Sequence, residues 1–149
     1  FKIFKRDPIH LRRGRFGERA ARKYLQRAGL KFLTANFRSD RGEIDLIFRD
    51  QKCLVFVEVK TRSDETWTRP AAAVDADRRR ALSLAAFDYL RLLGNPEIPI
   101  RFDIVEVILE NDRVAEIRHL PNTFNLTRPR RYGGGLSVGA AALSRDYAI

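Results

Sequence analysis

Asp45, Glu58 and Lys60 are the residues of this chain whose types and spacing suit chemistry. They lie in the stretch GEIDLIFRDQKCLVFVEVKTR, residues 42–62. Two carboxylates held side by side offer hard oxygen donors to a cation such as Mg²⁺, which binds oxygen at roughly 2.0–2.1 Å. An amine beside them adds a positive charge or carries a proton. A bare acid-x-Lys on a strand is common by chance, and its plain reading is an ion pair between Glu58 and Lys60. Asp45 at a matching register tips the reading towards a site.

The register comes from the strands that must hold these residues. The stretch contains two runs of alternating residues around a polar turn, Arg49-Asp50-Gln51-Lys52, which is a hairpin signal. A side-chain period of two places Ile44, Leu46 and Phe48 on one face and Glu43, Asp45 and Ile47 on the other. In the second run, Val55, Val57 and Val59 oppose Leu54, Phe56, Glu58 and Lys60. Pairing Phe48 with Cys53 sets Leu46 opposite Val55 and Asp45 opposite Phe56. Asp45 and Glu58 are then diagonal neighbours, roughly 7–8 Å apart at the backbone. Acids on a largely buried face are costly unless something compensates their charge.

A helix is predicted over residues 14–28, ending at Gly29. Phe16, Ala20 and Tyr24 recur at four-residue spacing, with Ala21, Leu25 and Ala28 beside them, giving an apolar stripe. Arg15, Arg19, Arg22, Lys23 and Arg27 cover the rest. Glu18 is the helix's acid and sits at the stripe's edge. Taken alone it is an ion-pair partner; beside a carboxylate pair it becomes a candidate ligand or water-orienting group.

Further along, residues 30–38 read as a first strand, and residues 39–42 as a turn into the hairpin. The loop after Lys60 holds Arg62 and Trp67, the latter read as a loop anchor. A second helical region opens at Arg69-Pro70, with Asp75 or Asp77 starting its longer part. Its stripe is Leu82, Ala85, Ala86, Tyr89 and Leu93, and Gly94-Asn95-Pro96 stops it. Arg78, Arg79 and Arg80 near its start read as a solvated face or as phosphate contacts. Residues 100–110 and 113–120 are strands around an Asn111-Asp112 turn. Asp103 reads as a structural acid paired with Arg101. The order is helix, three strands, helix, two strands, which implies an α/β fold with a mixed sheet flanked by helices.

Composition bounds the function. The 149 residues fit one domain, with a basic arm at 1–13, a folded domain at 14–126 and a tail at 127–149. The chain carries a net charge of +10, and residues 1–41 contain thirteen Lys/Arg against three Asp/Glu. Residues 42–149 contain sixteen of each, so the whole excess lies in the first quarter. That asymmetry points to a polyanion partner. A solvated basic helix with no partner, an anionic membrane and an acidic protein partner are the competing readings. One cysteine, Cys53, cannot form an internal disulfide, so a reducing, cytoplasmic setting is expected. No apolar run approaches the roughly 20 residues of a membrane span, and no signal peptide is evident. The absence of Met implies that residues precede Phe1.

The order Glu18, Asp45, then Glu58-Val59-Lys60 on consecutive helix and strand elements resembles the PD-(D/E)xK nuclease superfamily, with its restriction-endonuclease-like αβββαβ core. Gly17-Glu18, GEIDLI, FVEVKTR and Arg101-Phe102-Asp103 are similar to the YraN-type family of small bacterial proteins, which in turn resemble archaeal Holliday-junction resolvases. The likeness covers residues 12–126. It departs at Ile44-Asp45, where the superfamily name has Pro-Asp, but the carboxylate remains. The resemblance implies that Asp45 and Glu58 hold Mg²⁺ or Mn²⁺, with the Val59 carbonyl as a further oxygen. Lys60 would orient or deprotonate a water or stabilise the transition state, and Glu18 would complete the metal's surroundings. Arg15, Arg19, Arg22, Lys23, Arg62, Arg78, Arg79 and Arg80 would grip a nucleic-acid backbone, more readily DNA than RNA. A homodimer follows by analogy with resolvases. The alternative is a catalytically silent nucleic-acid-binding module on the same fold.

Overall fold

A computed structural model describes residues 8–63 and 75–126. Two helices and five strands follow the expected order: α1 (Ile9–Arg27), β1 (Lys31–Ser39), β2 (Gly42–Asp50), β3 (Cys53–Ser63), α2 (Ala76–Leu92), β4 (Ile100–Glu110) and β5 (Arg113–Phe124). The strands form one sheet in the order β1-β2-β3-β4-β5. Neighbours are antiparallel except β3 and β4, which are parallel and joined across α2. This is an α/β fold with a mixed sheet flanked by helices, consistent with a restriction-endonuclease-like core. The expected arm residues 1–7, the tail 127–149, Trp67 and the Arg69-Pro70 opening lie outside the described residues.

Each face of the sheet has its own core. On one, Ala21 and Leu25 of α1 pack with Leu46, Phe48, Val55, Val57, Val105 and Val107. On the other, Leu82, Ala85 and Ala86 of α2 pack with Ile44, Ile47, Leu54, Phe56 and Phe102. The period of two in β3 is what divides its residues between them.

Four details differ from the expected pattern. Helix α1 starts at Ile9, so residues 9–13 are helix rather than arm. Its buried line is Gly17, Ala21 and Leu25, while Phe16 and Tyr24 are 37% and 38% exposed. The packed stripe is therefore rotated towards the small residues, which let the helix lie close to the sheet. The β2–β3 turn spans only Gln51-Lys52, so Phe48 faces Val55 and Leu46 faces Val57. The register is two residues tighter than expected, which leaves every face assignment in β3 intact. Gln51 takes a positive φ of 52°, which a two-residue turn requires. Finally, Ile44 packs with α2 rather than beside Leu46. The pairing of β1 with β2 skips Asn36 and Asp45, and Asn36 has a φ of 52°, so β2 changes face at Asp45.

The helices touch the sheet at two glycines. A Cβ on Gly17 would lie 1.8 Å from Thr61 Oγ1 of β3, and one on Gly42 would lie 2.4 Å from the Ala81 backbone oxygen of α2. At the far end of the sheet, the fully buried Asp103 accepts hydrogen bonds from Arg101 Nε (3.0 Å) and the Asn122 backbone N–H (2.9 Å) and meets His119 Nε2 at 2.8 Å. Arg101 also reaches Asp50 at 2.8 Å. Asp103 is thus the structural acid paired with Arg101 that the sequence suggested.

Burial would raise the Asp103 carboxyl, but the His119, Arg101 and Asn122 contacts outweigh it and hold the pKa below the ordinary 3.8. An acid lowered in the folded state stabilises the fold above its unfolded pKa and loses that contribution as pH falls through the folded value. Asp103→Asn should cost about 3 kcal/mol at pH 7 by urea denaturation. The deficit should narrow below pH 3.8. Gly42→Ala meets backbone that no rotamer relieves, and should cost about 2 kcal/mol in the same measurement.

Candidate functional site

Glu18, Asp45, Glu58 and Lys60 line one solvent-facing cavity of about 480 Å³ at the end of β3. Val59, Arg62 and Arg78 share its wall, as do His10 and Arg13 of α1. Three elements converge there because of how each is held. Gly17 lets α1 rest on Thr61, which brings the next residue, Glu18, over the strand end. The change of face in β2 frees Asp45 from the ladder, and its Oδ2 accepts the Val59 backbone N–H at 2.8 Å. Asp75 caps α2 by accepting the Arg78 backbone N–H at 2.7 Å, which fixes Arg78 in the first turn.

Glu58 is the deepest member, 5% exposed. Arg78 binds it through two parallel bonds, Nε to Oε1 at 2.9 Å and Nη2 to Oε2 at 2.6 Å. Lys60 Nζ adds a contact to Oε1 at 3.3 Å. The ion pair between Glu58 and Lys60 is therefore present, but it is the weaker half of a three-residue arrangement. Of the two readings of Arg78, a solvated face or a phosphate contact, the first does not hold, whereas Arg79 and Arg80 are exposed.

The acids repel one another. Burial and then the Glu58 charge push the Asp45 carboxyl up from 3.8 to about 7, against the Val59 N–H, which lowers it. Burial also raises Glu18, partly offset by a side-chain hydrogen bond from Asn36. Among the described residues no group of three or more His, Cys, Asp or Glu side chains is placed to hold a metal ion. The donors that face the cavity are nonetheless carboxylate oxygens, the type that suits Mg²⁺ or Mn²⁺ with water completing the coordination. Asp45 held near a second carboxylate, at a cost visible in its pKa, is the electrostatic setting that a divalent cation relieves. These carboxylate donors match such an ion in type.

The expected backbone-gripping residues divide into groups. Arg15, Arg19, Arg22 and Lys23 are exposed on α1 and do not line the cavity; the Arg22 guanidinium lies 3.5 Å above the Phe32 ring. Arg62 lines it and lies 4.0 Å from Glu106 Oε1. Sequence reasoning missed three participants. His10 lies two four-residue steps before Glu18 and Arg13 five residues before it, a signal hidden by starting the helix too late. Arg13 also pairs with Asp112 at 3.0 Å. Asn36 supports Glu18, and an asparagine beside the GEIDLI stretch that tolerates positive φ was the available clue.

Residues 17–107 match the model of the uncharacterised protein family UPF0102. A UPF0102 protein of Porphyromonas gingivalis is 38% identical over 122 residues, 81% of this chain and 90% of that one. One from Dechloromonas aromatica is 44% identical over 107 residues, covering 72% and 86%. One from Symbiobacterium thermophilum is 42% identical over 112 residues, covering 75% and 95%. The matched span contains all four cavity residues expected from the sequence, from Glu18 to Lys60. Among the described residues, no helix is long and apolar enough to cross a membrane.

A raised acid favours the folded state below its unfolded pKa and loses that contribution as pH rises through its folded value. Asp45 should therefore weaken the fold as pH climbs from 3.8 through about 7. In EDTA at pH 8, Asp45→Asn should be more stable than the parent by on the order of 1–2 kcal/mol. The difference should disappear below pH 3.8. Thermal melts across pH read this directly; a less stable variant at pH 8 would contradict it.

Proposed function

The chain belongs to the uncharacterised protein family UPF0102, and we propose that it is a divalent-metal-dependent nuclease that hydrolyses phosphodiester bonds in structured or branched DNA. The observation that carries the proposal is the convergence of Asp45, Glu58 and Lys60 on one cavity with Glu18. Phosphodiester hydrolysis needs an activated water, neutralised phosphate charge and a stabilised leaving oxygen. Asp45 and Glu58 would hold Mg²⁺ or Mn²⁺, with the Val59 carbonyl as a third oxygen. When bound, the ion supplies positive charge to the phosphate and acidifies a water.

The chain's own residues do the rest. Lys60 lies at the cavity with its amine against Glu58, where it orients the attacking water and stabilises charge on the phosphoryl oxygens. Glu18, its carboxyl raised by burial, accepts a hydrogen bond or a proton from a water in the same cavity. Arg62 lines the cavity, while Arg15, Arg19, Arg22, Lys23, Arg79 and Arg80 are exposed on the two helices. These cations suit backbone contacts that fix orientation without reading sequence. Selectivity would then come from DNA shape. Cutting both strands of a branch calls for two copies, so a homodimer belongs to the proposal. The cytoplasm, where Cys53 stays reduced, is its expected setting.

A second reading, a nucleic-acid-binding module that does not cut, is favoured by one observation: Arg78 already neutralises Glu58 through both carboxylate oxygens. Incubation with branched, single-stranded and duplex DNA in Mg²⁺, Mn²⁺ or EDTA separates the two. The nuclease reading expects metal-dependent cleavage that falls at least about 100-fold in Asp45→Ala, Glu58→Ala and Lys60→Ala. Cleavage that survives Asp45→Ala or Lys60→Ala would reject the assignment. Salt-sensitive binding with no cleavage in any metal would support the silent module.

A further inference from the structure

Arg78 sits where a purely structural arginine gains little. It occupies the first turn of α2, the positive end of the helix dipole, where a cation is disfavoured. What offsets this is Glu58, held through both oxygens. The two partners differ in their freedom: the Glu58 side chain is 5% exposed and that of Arg78 is 28% exposed. The carboxylate is fixed, and the guanidinium has a solvent side towards which it can withdraw. Around them, Glu18, Asp45 and Glu58 share the cavity with the cations Lys60 and Arg78. Arg13 and Arg62 line the same cavity, but each meets an acid outside that trio, Asp112 and Glu106.

The geometry points to Arg78 as an exchangeable internal cation, bound to Glu58 until a divalent cation displaces it. This inference rests on the metal-dependent reading of the site. A divalent ion taking a Glu58 oxygen at roughly 2.0–2.1 Å would bring two further positive charges against the guanidinium. Both oxygens already carry an arginine bond, and like charges at contact distance in a half-buried setting repel strongly. The guanidinium therefore leaves as the ion enters. Exchange keeps the acids close to neutral in both states, which accounts for a site that persists with two acids so near each other. The released guanidinium stays tethered at the cavity mouth, where its planar fork suits the oxygens of a phosphodiester. Arg78 is thus a positioning residue that links metal loading to phosphate capture.

The test is Mn²⁺ binding by calorimetry at fixed pH, without nucleic acid, on the whole chain and its variants. Arg78→Ala should bind Mn²⁺ about tenfold tighter than the parent, because the competing cation is gone. Arg78→Lys, which keeps the charge but loses the two-point bond, should lie between them. Asp45→Ala should weaken binding in both the parent and Arg78→Ala backgrounds. Circular dichroism checks folding, and Arg78→Lys carries the comparison if the alanine variant does not fold. Equal or weaker Mn²⁺ binding when Arg78 is replaced overturns the exchange and leaves the proposed nuclease site standing. No Mn²⁺ binding by the parent or by either variant overturns both.

Discussion

A carboxylate withdrawn from water at the end of a strand must be compensated, and Glu58 shows how this protein does it. Removing an ion from water costs several kcal/mol even after relaxation, and the cost is recovered only with good geometry. Here the compensation is an arginine from the following helix, bound through both oxygens, and a lysine two residues along the same strand. A glutamine at position 58 would have avoided the charge altogether. Retaining an acid, an arginine and a lysine where neutral residues would pack is the kind of local expense that accompanies function.

Two aspartates of the sheet make the contrast plain. Asp103 is fully buried, yet its pKa is lowered, because His119, Arg101 and a backbone N–H all bond its oxygens. Asp45 is less buried, yet its pKa is pushed up to about 7 by burial and the Glu58 charge, with the Val59 backbone N–H and the more distant Arg78 charge too weak to offset them. Burial alone does not separate them; the number of donors does. Asp103 ties β4 to β5 and steadies the fold at neutral pH. Asp45 weakens it there, and its oxygens face a cavity rather than a set of donors.

Much of this was legible in the sequence because a period of two is unforgiving. The faces of β3 followed from alternation, and a register error of two residues between Phe48 and Val55 left them unchanged. The grouping of Asp45 with Glu58 survived for that reason. What alternation could not show was the break in β2 at Asp45, where Ile44 turns to the other core. That break falls where β1 carries Asn36 at a φ of 52°, a signal that only the cross-strand pairing connects to Asp45. Both helices were legible in number, and α2 also in rotation, since Leu82, Ala85, Ala86 and Tyr89 pack on the sheet, but α1 was not. Phe16 and Tyr24 drew the stripe of α1 towards themselves by size, whereas Gly17 and Ala21 were the residues that met the sheet. The bond from Arg78 to Glu58 was not legible for a related reason. Three consecutive arginines look alike in sequence, and only the capped first turn of α2 points one of them inward.

The fold and the site are joined at the two glycines. Gly17 precedes Glu18, and Gly42 precedes Asp45 by three residues. Each marks a contact too close for a Cβ, the first between α1 and Thr61 of β3, the second between β2 and Ala81 of α2. The approach that seals each core therefore also sets the position of an acid on one side and of Arg78 on the other, three residues before Ala81. Moving either helix outward by the width of a methyl group would loosen the packing and separate the charges together. In chain order α2 also lies between β3 and its parallel neighbour β4. The helix that makes the parallel pairing possible is thus the one that presents the guanidinium to Glu58, so the electrostatics of the cavity are a consequence of topology.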